Sequence, residues 1–249
     1  MQHVIRHSLR ASLADCARLA SNLTSFTPQA VALWERDKRL VIASSDDHRL
    51  HEFSMLIHDC PEPVLGNRVI SLEHQVAGAI ARALEKGKDY DGVEICYQES
   101  SNELTFKTVE GLRLIAPVIP AKHAEHVHQL SYRFGRLAYE SQICDIPCQG
   151  NLLSMVKKQK ERFAIDAKTI TEAKLVIGKP EVTLWGQYLR EAIEAAEEAL
   201  KPSSKTDRVF SISVDEPKSP MRIETNRNYA LAFRAYIMPV RRYDHESSN

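Results

Sequence analysis

Twice within its first 119 residues the chain runs through a strand, an amphipathic helix and three further strands, and this repeated order constrains the fold more than any single motif does. In the first pass residues 2–7 read as a strand, and Leu9, Leu13, Ala17, Ala20 and Leu23 recur every three to four residues, which predicts a helix over about 9–22. After Pro28 come AVALWE and RLVIAS, joined by the polar turn Arg36-Asp37-Lys38, and a third β-rich run from Leu50 to Ile57. A link holding Pro61, Pro63 and Gly66 leads to the strand NRVIS. A helical stripe of Leu72, Val76, Ala79, Ile80, Ala83 and Leu84 follows and stops at Gly87. VEICYQE, ELTFKTV and GLRLIAPVI complete the second pass, and no glycine-rich phosphate loop interrupts either one.

Residues 120–130, PAKHAEHVHQL, are polar, rich in histidine and weakly patterned, so the reading places a linker there between a domain over 1–119 and a domain over 131–249. In the second domain YRFGRLAYESQICDI predicts strand, NLLSMVKKQKERF a helix, and KTITEAKLVI and EVTLW strand. Leu189, Ala192, Ile193, Ala196 and Leu200 mark a further helix stopped by Pro202, before the strands RVFSISVD, PMRIETN and ALAFRAYIMPV. A single strand-rich stretch separates the two helices, so the second domain is one or two strands short of a full copy of the first. The fold class expected is α+β, with the helices on one face of the sheets.

Composition narrows the function. Lys plus Arg and Asp plus Glu both number 33, so any attraction to a polyanion must come from local patches. No run of about 18 apolar residues is present to cross a bilayer, and MQHVIRHSLR lacks the apolar stretch of a signal peptide, so a cytoplasmic protein with no membrane partner is expected. The five cysteines, Cys16, Cys60, Cys96, Cys144 and Cys148, are scattered and odd in number, which argues against a disulfide framework. Cys144 and Cys148 lack a second pair to complete a zinc site, so neither a metal nor a cofactor is expected. A hydrolase using Cys144 or Cys148 with a histidine finds no nucleophile elbow. His123, His126 and His128, at i, i+3 and i+5, cannot all share a helix face and read as solvated linker.

Two segments resemble the bacterial DNA sliding clamp, the β subunit of the replicative polymerase, and more broadly the ring-shaped clamps that include PCNA. Val41-Ile42-Ala43-Ser44-Ser45-Asp46-Asp47-His48-Arg49-Leu50 is similar to the family's V-A-T-D-G-H-R-L segment, and Tyr236-Ile237-Met238-Pro239-Val240-Arg241 to its Y-x-x-M-P-[MV]-R ending. Between them VTLWGQYLREAIEA looks like the family's F-x-V-x-Y-L-x-D-A-L. The resemblance covers nearly the whole chain, matching its domains to the family's middle and last ones. Asp47 stands where the family has glycine, and Arg242 to Asn249 extend past the usual end.

The resemblance implies a non-enzymatic DNA sliding clamp, a processivity factor that encircles duplex DNA without sequence preference and tethers DNA polymerase, clamp loader and other partners through their clamp-motif peptides. Its rings contain six such domains, so three copies of a two-domain chain make a homotrimer the expected assembly. The alternative is a clamp-derived adaptor that binds partner peptides, or a clamp, without encircling DNA. A clamp needs basic helices toward the phosphates. The DNA-binding candidates are Lys157, Lys158, Lys160 and Arg162 on one helix, with Arg10, Arg18, Arg82, Lys86 and Lys88 on the first two. The last helix instead carries Glu191, Glu194, Glu197 and Glu198 against Arg190 and Lys201, and would repel a phosphate backbone unless turned aside. By the resemblance, a partner-peptide groove has Leu50, Met238, Pro239 and Val240 as its floor and His48, Arg49 and Arg241 at its rim.

Overall fold

The structure is a computed structural model that describes residues 2–22, 29–46, 48–58, 63–120, 122–137, 144–147, 173–176, 181–201, 209–213, 219–225 and 231–239. The first pass of the repeat is β1 (Gln2–Ile5), α1 (Arg6–Ser21), β2 (Ala30–Arg36), β3 (Arg39–Ser45) and β4 (Arg49–Leu56). The second is β5 (Ile70–Glu73), α2 (His74–Ala83), β6 (Gly92–Gln98), β7 (Glu103–Thr108) and β8 (Arg113–Pro117). The two units exchange their first strands: β1 pairs antiparallel with β6, and β5 with β2. Their helix starts are exchanged too. Neither α1 nor α2 has a side-chain cap, and the orphan donors of their first turns find carbonyls in the other unit. Arg6 and His7 N–H donate to Asp91 and Asp89 ahead of β6 (2.9 and 3.0 Å), and His74 N–H donates to Gln29 ahead of β2 (3.0 Å). The internal duplication read from the sequence is thus present in the topology and in the capping.

The second domain contains β9 (Cys144–Pro147), β10 (Ala173–Val176), β11 (Glu181–Leu184), α4 (Gly186–Leu200), β12 (Val209–Ser213), β13 (Met221–Thr225) and β14 (Leu231–Ile237). β9 pairs with β12 as β1 does with β6, and β10 pairs with β11 as β2 does with β5. Residues 37–69 separate β2 from β5 and carry β3 and β4, whereas only residues 177–180 separate β10 from β11. The hairpin corresponding to β3 and β4 therefore has no place between them, and the shortening expected from the sequence is located.

The halves join where β4 meets β14 antiparallel, from Leu231 opposite Met55 to Ile237 opposite Arg49, making one eight-stranded sheet in the order β5-β2-β3-β4-β14-β13-β12-β9. Phe53 and Phe233 pack ring to ring at 4.8 Å across the seam. One apolar core runs beneath it, from Leu9 and Leu13 of α1 through Phe53 and Phe233 to Ile193 and Ala196 of α4.

Residues predicted as a solvated linker form a helix instead, α3 (Lys122–Gly135), which also takes in the start of YRFGRLAYESQICDI; among the described residues of that run, strand begins at its last three, in β9 (Cys144–Pro147). Along β2, Val31 and Leu33 face the core with α1, while Ala30, Ala32 and Trp34 face the other way and pack with Ala124 and Val127 of α3. α3 therefore lies on the opposite face of the sheet from α1, α2 and α4, in addition to the expected helices-on-one-face layer. Its polar residues bury by pairing: His123 Nε2 lies 3.3 Å from Ser45 Oγ, Ser131 Oγ–H donates to Glu52, and His128 meets Trp34 edge-on at 5.1 Å. The helix predicted from NLLSMVKKQKERF, with Lys157, Lys158, Lys160 and Arg162, lies outside the described residues, as do Val240 and Arg241.

Candidate functional site

α1 lies between α2 and α4, leaving a groove on each side. The groove toward α2, about 540 Å³, is lined by Arg10, Arg18, His74, Gln75, Arg82 and Glu85. Three guanidinium groups face one carboxylate there. Arg82, Lys86 and Lys88 are exposed and make no ion pair among the described residues; Lys86 and Lys88 sit in the turn after α2 rather than on it. The groove toward α4, about 640 Å³, has Arg10, Arg18, Arg190 and Lys201 set against Asp15, Glu191, Glu194 and Glu198. Arg10 lies 3.6 Å from Glu198, and Arg18 pairs with Asp15 (2.7 Å) and with Glu191. The acidic α4 is thus largely neutralised by α1, and uncompensated positive charge lies on the α2 side.

The groove candidates divide in two. Met238 N–H donates to the His48 carbonyl (2.8 Å), so the M-P segment and the H-R-L segment are brought together as the resemblance implies. Register sets Tyr236, not Met238, opposite Leu50. Leu50 is 1% exposed and packs among Trp34, Val41, Val127 and Tyr236 under α3, so it does not floor an open groove. Arg49 is no rim residue either. Its side chain is 1% exposed, its Nε–H donates to Asp46 (2.8 Å) and its Nη1–H to Glu191 (2.6 Å), and its guanidinium lies 4.3 Å from the Tyr188 ring centroid. His48 is exposed and stacks on the same Tyr188 at 5.7 Å, while Met238 and Pro239 are half-buried. An accessible rim of His48, Met238 and Pro239 remains.

Glu191 is the centre of this junction. Burial raises its carboxyl, but hydrogen bonds from Arg18 and Gln187 and the charges of Arg49 and Arg18 outweigh that and hold it down to about 2. Beside it, burial of Asp15 is likewise outweighed by His51 and Arg18, leaving that carboxyl below its usual range; His51 Nδ1–H donates to it at 2.7 Å. The sequence reading assigned Glu191 only to an acidic face and did not single out Tyr188. No local signal marks either role, because the arginine partners of Glu191 lie 142 and 173 residues away. The described residues hold no group of three or more His, Cys, Asp or Glu suited to a metal, and no helix among them is long and apolar enough to cross a membrane.

No family model and no curated protein sequence matches the chain. Solved structures do. The chain is similar to the β subunit of DNA polymerase from Streptococcus pyogenes, with a TM-score of 0.63, 15% identity, and coverage of 96% of this chain and 65% of that one. The DNA polymerase III subunit β from Pseudomonas aeruginosa gives 0.58, 13%, 96% and 65%. PCNA from A. fulgidus, in a structure with the C-terminal region of FEN-1, gives 0.56 at 11% identity, covering 97% of this chain and 99% of that one. The fold is that of the DNA sliding clamps, and the chain spans 65% of the length of the bacterial ones.

Proposed function

We propose that the protein is a non-catalytic clamp-fold adaptor of DNA replication or repair. It holds duplex DNA without sequence preference along the α1–α2 groove and tethers partner proteins, and it does not close a ring from copies of itself. The observation that carries this reading is the link of residues 177–180 between β10 and β11. Within the chain, domains join by pairing the last strand of one unit, β4, with the last strand of another, β14. A head-to-tail ring repeats that pairing between protomers. It would set β8 against the last strand of the second domain's first unit, and the short link leaves no place for that strand. Among the described residues, one of the two edges that the homotrimer implied by the resemblance needs has no strand.

Sequence-independent binding is supported by Arg82, Lys86 and Lys88, which make no ion pair among the described residues and can neutralise phosphates without reading bases, whereas Arg10 and Arg18 are engaged with Glu198, Asp15 and Glu191. Partner docking is supported by the rim at His48, Met238 and Pro239, and by the PCNA neighbour solved with a FEN-1 tail. Retention on DNA tests the reading. A topologically linked ring stays on nicked circles in high salt and slides off linear duplex. This protein should leave circles and linear DNA equally, at the same salt concentration. Salt-resistant retention on circles alone would establish an encircling clamp instead.

A further inference from the structure

The edges of the first domain's two sheets are treated differently. The outer edge of β1 is closed by His58, whose N–H donates to His3 (2.9 Å) and whose carbonyl accepts from it (3.3 Å). The outer edge of β5 is closed by Ile119, whose N–H donates to Ser71 (3.0 Å) and whose carbonyl accepts from the Ser71 hydroxyl (2.6 Å). β4 is paired with β14. Of the first domain's edges, β8 alone has no backbone partner on its outer side among the described residues.

A bare edge is a template for another strand. This one is also apolar. Of the described residues, the large hydrophobics left exposed are Leu56, Tyr90, Val109, Leu112, Ile115 and Tyr132, and three of them lie on β8 or the turn that leads into it. Along β8, Leu114 and Ala116 pack toward the core, so Ile115, half exposed, stands on the outward face. Its flank is not self-repelling: pairing β8 with itself about Ile115 sets Arg113 opposite Pro117, not opposite Arg113.

The chain's own junction indicates what fits there. β4 and β14 each close a three-stranded meander, and they pair antiparallel to fuse two four-stranded halves into eight strands. β8 closes the remaining meander, β6-β7-β8, and among the described residues no strand of the same rank is left to receive it. Between copies, the described strand that can match β8 in rank is β8 of the second copy. We infer that two copies of this chain join through β8, antiparallel about a twofold axis, continuing the four-stranded sheet β1-β6-β7-β8 into an eight-stranded one. The interface is isologous and closes on itself, so assembly stops at two.

Sedimentation equilibrium of the full chain over a range of concentrations reads this directly. The expected mass is twice 28.2 kDa, falling to 28.2 kDa on dilution and at all concentrations for Ile115→Lys, a change at an exposed position that should leave the circular-dichroism melt unaltered. Ile115→Cys, made with Cys96→Ser because Cys96 is exposed, should form a covalent dimer on mild oxidation. A monomer throughout, a mass of three times 28.2 kDa, or a dimer that survives Ile115→Lys without cross-linking through Cys at 115 would each overturn the inference. It shares the short β10–β11 link with the non-encircling reading. A monomer that leaves circular and linear DNA equally would sink the dimer alone.

Discussion

Arg6 is 1% exposed at the first position of α1, an expensive place for a cation unless it is paired with a carboxylate. Its guanidinium reaches across to the second unit, where Nη1–H donates to the Lys86 carbonyl (3.1 Å) and to Glu110 (2.9 Å), and Nη2–H pairs with the other Glu110 oxygen. That hydrogen bond, more than any other influence, pulls the Glu110 carboxyl down to about 2. The guanidinium can pass because residue 87 has no side chain: Gly87 has φ +143°, and a Cβ there would lie 1.1 Å from Arg6 Nη1. Gly87→Ala must displace the guanidinium from its acceptors while also straining the backbone. A loss of about 2 kcal/mol or more is expected, read as a lower midpoint of denaturant unfolding. An unchanged midpoint would mean that Arg6 relocates without cost and does not tie the two units together.

Among the elements, the pair α1 and α2 presents the cations that the junction leaves unmatched. Arg82→Ala combined with Lys86→Ala and Lys88→Ala removes three exposed charges that stabilise nothing else among the described residues, so folding should be unchanged. DNA association should weaken. The plot of log affinity against log salt should flatten by about 0.9 for each phosphate no longer neutralised, and an unaltered slope would move the DNA face elsewhere. Both helices were legible in the sequence because their core residues repeat at 3.6. α3 was misread for a physical reason. Ala124, Val127 and Phe134 hold helical spacing, but His123 and Ser131 lie on the buried side with them and are satisfied by Ser45 and Glu52, so polarity hid an amphipathic element. The groove was half legible for a related reason. The resemblance brought His48 and Met238 together, yet the enclosure of Leu50 by α3 and of Arg49 by α4 depends on elements far away in the chain.

At the scale of the molecule, the halves are held by the β4–β14 seam, by the Arg234–Glu52 pair within it (3.6 Å), and beside it by a charged cluster centred on Glu191. Arg18 of α1, Arg49 at the start of β4 and Glu191 of α4 meet at a single carboxylate oxygen, Glu191 Oε2. The sign of the pH dependence follows from the carboxyl. It titrates near 2 in the folded protein and at about 4.3 in an unfolded chain. A depressed folded value contributes stability in full above the unfolded value and loses it as pH falls toward the folded one. Wild-type stability should therefore drop between about pH 4.3 and 2, with Asp15, also depressed, acting in the same direction. Glu191→Gln keeps the side-chain shape but cannot carry the charge. At pH 7 it should be less stable by about 2 kcal/mol, the scale of a hydrogen bond to a charged group, and its melting temperature should change less than the wild type's across that acid window. Arg49 retains Asp46 and Arg18 retains Asp15, so the variant should still fold. If wild type and variant lose stability in parallel as pH falls, the cluster at Glu191 contributes nothing to the union of the halves.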